Sequence, residues 1–244
     1  MYARDKTRTQ RKSAVRELLA KQEIAGLIEW AREDGRVIET LSVLLFEQDE
    51  LLRWRAIEAT GRIAGVLAGA DMERVRDLLR RLLWSINDES GAAGWYAPET
   101  IGAILFNVPQ LIDDFGPILA SFLREEPFER GAHWAIAKLA RLRPDIYANC
   151  AEELEASLDA ADPAVRAHAL QALDALGRDS AIRDRASLLD DEAVVELYDF
   201  ETGGLTEISI STLARRVVSQ TGPDRPCAHD PARRQPQSTG DAAH

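Results

Sequence analysis

The sequence predicts an all-α protein: a right-handed α-solenoid of about four to five stacked helix pairs, finished by a small C-terminal β-hairpin and a short helix as cap. Three observations predict it. Four segments align without gaps, each follows a second amphipathic stretch, and the hydrophobic period changes from helical to alternating near residue 191.

The aligned segments are LRWRAIEATGRI (52–63), AGWYAPETIGAI (93–104), FERGAHWAIAKL (128–139) and VRAHALQALDAL (165–176), offset by 41, 35 and 37 residues. Ala56, Ala97, Ala132 and Ala169 share one column. Ala59, Thr100, Ala135 and Ala172 share the next, and Ile63, Ile104, Leu139 and Leu176 a third. Spacings of three and seven put these columns on one helical face. Small residues in the first two let neighbouring helices approach closely, and the larger third fills the layer between them.

Taken in order, residues 1–34 read as a basic N-terminal arm and a helical cap, with Gly26 expected to break the cap in two. Residues 35–190 form the solenoid. Its first-of-pair helices are GRVIETLSVLLFEQ, DMERVRDLLRRLLWSI, PQLIDDFGPILASFLREE, PDIYANCAEELEASLDAA and the shorter SAIRDRASLLDD. Turn signals separate the pairs at Asp49-Glu50, Gly91 with Gly94, Glu126-Pro127 and Asp162-Pro163. Pro98 lacks an N–H, so it must sit in the first turn of its helix, which leaves Trp95 and Tyr96 at the helix start. In residues 191–218, two β-branched runs flank Glu-Thr-Gly-Gly, a hairpin pattern, and Ser211 is placed to cap a last short helix. A lone hairpin is marginal, so it is expected to dock on the solenoid end and cover the apolar face there. Residues 219–244 hold four prolines and no Val, Ile, Leu, Met or aromatic residue, the composition of a disordered tail.

Two stretches carry a family resemblance. DELLRWRAIEATGRI (49–63) and DPAVRAHALQAL (162–173) each place an acid four residues before an arginine, then alanines at +3 and +6 from it. In this they resemble HEAT-like repeats of the phycobilisome-lyase type, over roughly residues 35–190, and the whole chain resembles uncharacterised bacterial HEAT-repeat proteins. The resemblance implies that Arg53 and Arg166 bond the turn acid of an adjacent repeat, and that the second helix of each pair lines the concave side. The other two segments depart from the pattern, with Gly94 and Glu129 where the arginine would stand. Such a motif specifies a fold and leaves function open.

Composition narrows the function classes. The 244 residues carry a net charge of −11, yet residues 1–22 hold seven Lys/Arg against two acids. The remainder is strongly acidic and repels phosphate backbones, so nucleic acid is a poor partner. No apolar run has membrane-spanning length, and the N-terminus lacks a signal-peptide core; the expectation is a cytoplasmic protein. The two cysteines, Cys150 and Cys227, lie far apart, so neither disulfide framework nor thiol metal site is expected. Phosphate-loop, zincin and nucleophile-elbow motifs are absent, and His133 and His168 sit singly in different repeats. No cofactor is expected and no catalytic constellation is visible, so the chain reads as non-enzymatic.

What remains is a pattern of aromatic and acidic residues. Trp54 and Trp95 share one column; Glu58, Glu99 and Trp134 share another four residues on, along the same helical faces. On the concave side these five would form a groove for a protein segment, basic in character, or for a small ligand. The same tryptophans could instead pack between adjacent helices. The loop NDESGAAGWYAPE (87–99) adds Asp88, Glu89 and Tyr96, more than turn chemistry requires. Two alternatives follow from the resemblance: an enzyme or enzyme accessory, lyase-like, that uses the acids near Trp95, and a nucleic-acid-binding or DNA-repair protein.

Overall fold

The computed structural model describes residues 7–86 and 94–220. Asp88 and Glu89, the loop acids, lie outside the described residues, as do Cys227 and nearly all of the expected tail.

The N-terminal cap comprises α1 (Arg8–Ala20) and α2 (Ile24–Glu33). The break between them falls at Lys21–Glu23 rather than at Gly26, because Gln22 takes the left-handed conformation (φ 59°) that ends α1, and Gly26 lies inside α2. The solenoid follows as α3 (Arg36–Leu44) with α4 (Glu50–Ala68), α5 (Met72–Ile86) with α6 (Ala97–Asn107), and α7 (Ile112–Ala120) with α8 (Glu129–Leu139). The next pair is the broken α9 (Pro144–Tyr147) and α10 (Ala151–Ala156) with α11 (Pro163–Ala175). A short α12 (Asp179–Arg183) leads to β1 (Val194–Asp199), β2 (Gly204–Ser209) and α13 (Ile210–Gln220).

The second helices pack side by side in the order α4, α6, α8, α11, with the first helices as an outer layer. Sequence explains the spacing. Every residue of the two small columns is buried, as are Ile63, Ile104 and Leu139. Gly61 and Gly102 then bring the backbones into contact. A Cβ on Gly61 would lie 2.5 Å from the Ala103 carbonyl oxygen, and one on Gly102 would lie 2.6 Å from Ala135 Cβ. Gly61→Ala should therefore destabilise the protein by about 1–2 kcal/mol despite the better helix propensity of alanine, because the obstacle is backbone that cannot turn aside. Gly69, with its nearest neighbour at an ordinary 3.6 Å, is the control: Gly69→Ala should change a urea midpoint little or raise it.

The repeat arginines do more local work than the resemblance implies. Asp49 and Asp162 cap their own helices, accepting from Leu52 N and Ala164 N. Arg53 donates to the Glu47 carbonyl and stacks 4.4 Å over the Tyr96 ring of the next pair. Arg166 donates to the Ala160 carbonyl and pairs with Asp191 at 2.9 Å. Each arginine thus closes the preceding turn and reaches one unit forward.

The hairpin forms with Val194 opposite Ser209 and Asp199 opposite Gly204, and Gly203 (φ 63°) supplies the left-handed residue of its turn. Ser209, not Ser211, caps α13 by accepting from Thr212 N; Ser211 lies inside the first turn and donates to Glu192 instead. The expected docking on the solenoid end is also corrected. Only the base of the hairpin lies there, β1 against α11 and β2 against α13. Its tip runs back along the helix layer to the α1–α2 corner, where Gln22 donates to the Thr202 and Gly203 carbonyls at 3.0 and 2.7 Å. Arg55 joins the same place from α4. It donates to the Gly203 carbonyl and to the last carbonyls of α1, Leu19 and Ala20.

Candidate functional site

The side chains on the exposed side of α4 and α8 meet over α6. The rings of Trp54 and Trp134 approach to 5.0 Å although their helices are not neighbours in the layer. Glu50 and Arg130 likewise reach each other across the same helix, at 3.4 Å. The crossing is possible because α6 presents Gly102 there, 3.2 Å below Trp134 as measured from a built Cβ. Side chains of α4 and α8 thus close over α6.

It is not an open groove. Tyr198 of β1 stacks on Trp54 (5.7 Å, 8°), and Phe200 of the hairpin turn lies on Trp134 (5.6 Å, 28°). Tyr198 and Phe200 meet edge to face at 5.2 Å, so the four rings close a circuit. Lys138 completes it, with Nζ 4.9 Å from the Phe200 ring centre and 6.0 Å from that of Trp134. Burial lowers the Lys138 pKa and Arg141 adds to this, while Asp199 and Glu201 work against it.

The acids expected on the groove wall are buried instead. Glu58 is 2% exposed: one oxygen accepts from the Tyr198 hydroxyl at 2.6 Å and the other pairs with Arg62 at 2.7 Å. Burial and the bond to Glu58 push the Tyr198 phenol above its ordinary range. Glu99 is 5% exposed and its Oε2 is buried without a hydrogen-bond partner. It lies against Gly131 of α8, where a Cβ would collide with the carboxylate. Burial pushes its pKa up to about 7, opposed by its own backbone amide and then by Arg130 and Arg53.

The predicted residues thus separate into two places. Trp54, Trp134 and Glu58 do converge, but under the hairpin, so the expected exposed groove is corrected to a covered seat in which the rings and the hairpin's Tyr198 and Phe200 bury one another, while Glu99 is buried against Gly131. Trp95 does not join them. It stands 50% exposed just ahead of α6, beside Tyr96 in the N-cap position and Pro98 in the first turn, as the proline required. Gly94 packs on Ser85 and Ile86 so tightly that a Cβ would sit 2.7 Å from the Ser85 carbonyl oxygen. That contact brings Trp95 to the corner where Trp84, 73% exposed, ends α5.

His133 and His168 are structural. His133 bridges the Glu129 carbonyl and Ser157 Oγ at 2.8 Å each, and His168, held at about 3 by burial, meets Gln171. Among the described residues no group of His, Cys, Asp and Glu could hold a metal ion, and no helix is long and apolar enough to cross a membrane. Sequence reasoning missed Tyr198, Phe200, Lys138, Arg62 and Trp84. The alternating Tyr-Asp-Phe just before the hairpin turn was the available signal for the first two.

No protein-family profile matches the chain. Three solved structures are similar in fold: an engineered protein (21% identity, TM-score 0.46), a designed armadillo repeat protein (19%, 0.46) and an archaeal HEAT-like repeats protein from Thermococcus onnurineus (18%, 0.35). They cover 88%, 88% and 86% of this chain, and 92%, 95% and 79% of theirs. An uncharacterised protein of Archaeoglobus fulgidus is 34% identical over 163 residues, which is 65% of this chain and 84% of the relative. The relative is archaeal where the sequence resemblance pointed to bacterial proteins, and nothing in these similarities bears on lyases. With that identity over most of the relative's length, the chain belongs to the same family as this archaeal protein.

Proposed function

We propose that the protein is a non-enzymatic HEAT-like scaffold that binds a protein segment, and that its standing contact surface is the α5–α6 corner around Trp84, Trp95 and Tyr96. The observation that carries this is exposure: Trp84 and Trp95 show 73% and 50% of their surfaces, while Trp30, Trp54 and Trp134 are buried. Large aromatics near a turn are the anchors from which interface energy is usually built. Arg53 braces Tyr96 from behind, so the corner is held before a partner arrives.

A photo-crosslinking residue at position 95 should capture a partner that the same residue at Leu142, on an outer turn, does not. Trp84→Ala with Trp95→Ala should abolish that capture while leaving the unfolding free energy within about 0.5 kcal/mol of wild type. Equal capture from both positions would overturn this reading.

An enzymatic reading, in which acids near Trp95 do the work, draws on Glu99, because a carboxyl raised to about 7 is what general acid–base chemistry uses. Its carboxylate is buried against Gly131 of α8, out of reach of a substrate, which favours the scaffold.

A further inference from the structure

The seat under the hairpin is built unlike a permanent core. Around the four rings it keeps Glu58, Lys138 and Arg62, where apolar residues of similar volume would serve stability as well or better. The hairpin fills it incompletely. A cleft of about 220 Å³ remains between the hairpin tip and α2–α4, lined by Gln22, Arg55, Glu58, Arg62, Tyr198 and Glu201. The tip is held by side-chain bonds to the carbonyls of Phe200, Thr202 and Gly203, each worth about 0.5–1.5 kcal/mol. Val194, Glu196, Thr206 and Glu207 turn outward to solvent, and a two-stranded hairpin does not persist without its seat.

We propose that the hairpin is a releasable internal ligand, and that the face beneath it is a docking groove for an extended acidic segment with aromatic residues at alternate positions. The internal occupant is the template for that partner. Its phenol meets Glu58, its second ring lies on Trp134, and Asp199 and Glu201 bring negative charge toward Lys138. The partner is acidic rather than basic because Glu58 is already paired with Arg62 and Glu99 is buried out of reach, whereas Lys138 lies over the rings and Arg55 bonds backbone carbonyls at the hairpin tip. The proposal deepens the scaffold reading but uses a different face from the α5–α6 corner, so crosslinking at position 95 tests that corner alone.

Two measurements on the full chain test it. In native-state hydrogen exchange, the paired amides of β1 and β2 should exchange through a local opening, insensitive to low denaturant, at least tenfold faster than those of α6 and α8. A shared opening for the hairpin and α8 would overturn the proposal. In the second, a fluorescent peptide of residues 193–211 is titrated into the Tyr198→Ala/Phe200→Ala protein. Saturable binding is expected, at least tenfold tighter than to wild type, where the internal hairpin competes, and weakened by Lys138→Gln. A folded variant that does not bind the peptide would overturn the proposal. Should the double variant fail to fold, Phe200→Ala alone, which leaves the Tyr198–Glu58 bond in place, carries the same two outcomes.

Discussion

Replacing Trp134 by alanine should cost about 3–5 kcal/mol of unfolding free energy, among the largest effects of any single substitution in this chain. The residue is 4% exposed and touches Trp54 across α6, Phe200 from the hairpin turn and Lys138 on its own helix. Truncation removes one ring of a closed four-ring circuit, and Gly102 beneath it has no side chain with which to fill the hole. Urea denaturation followed by circular dichroism measures it. Trp84→Ala, at a residue 73% exposed, removes as many atoms and should cost less than about 0.5 kcal/mol. Equal effects for the two would show that the circuit does not hold the hairpin to the solenoid.

Glu99→Gln should remove a pH dependence and stabilise the protein at alkaline pH. The folded-state pKa of Glu99 is raised from 4.5 to about 7, so the folded form binds a proton that the unfolded form releases. Its contribution is fully favourable below about pH 4.5, falls as pH rises, and is lost once pH passes about 7. At roughly 1.4 kcal/mol per unit, the total is about 3 kcal/mol. Wild type should lose that much between pH 4.5 and 7.5, and the glutamine variant should not. The charged groups that act on the carboxyl are Arg130 of α8 and Arg53 of α4. Parallel stability profiles for the two proteins would mean that Glu99 is ionised throughout.

The helix layer was legible from sequence because its signal is local and repeated. Alanine columns at fixed spacing mark helices that must touch, and Pro98 marks where α6 can start. The Glu-Thr-Gly-Gly turn was legible for the same reason, since four residues decide its geometry. The path of the hairpin was not. Tyr198 meets Glu58 across 140 residues of sequence, and no local preference encodes that pairing. The same gap explains the misplaced acids. A glutamate on a helix reads as solvated, and Glu58 goes inside only because an arginine one turn away and a phenol from the far end of the chain answer both oxygens. Gly26 misled in a simpler way: glycine permits a break but does not require one, and Gln22 took the left-handed turn instead.

The bonds from Gln22 to Thr202 and Gly203 span 180 and 181 residues. A stack of helix pairs assembles through neighbours, so its contacts are short-range, its folding is fast and its end units fray separately. A buckle that joins the first corner to the last hairpin adds long-range closure to the array, beside the Tyr198–Glu58 and Arg55–Gly203 bonds. Loop-closure entropy makes contacts of such separation form after the local helix pairs. While shut, the buckle ties the two end units to each other, so that neither end frays until the hairpin has lifted.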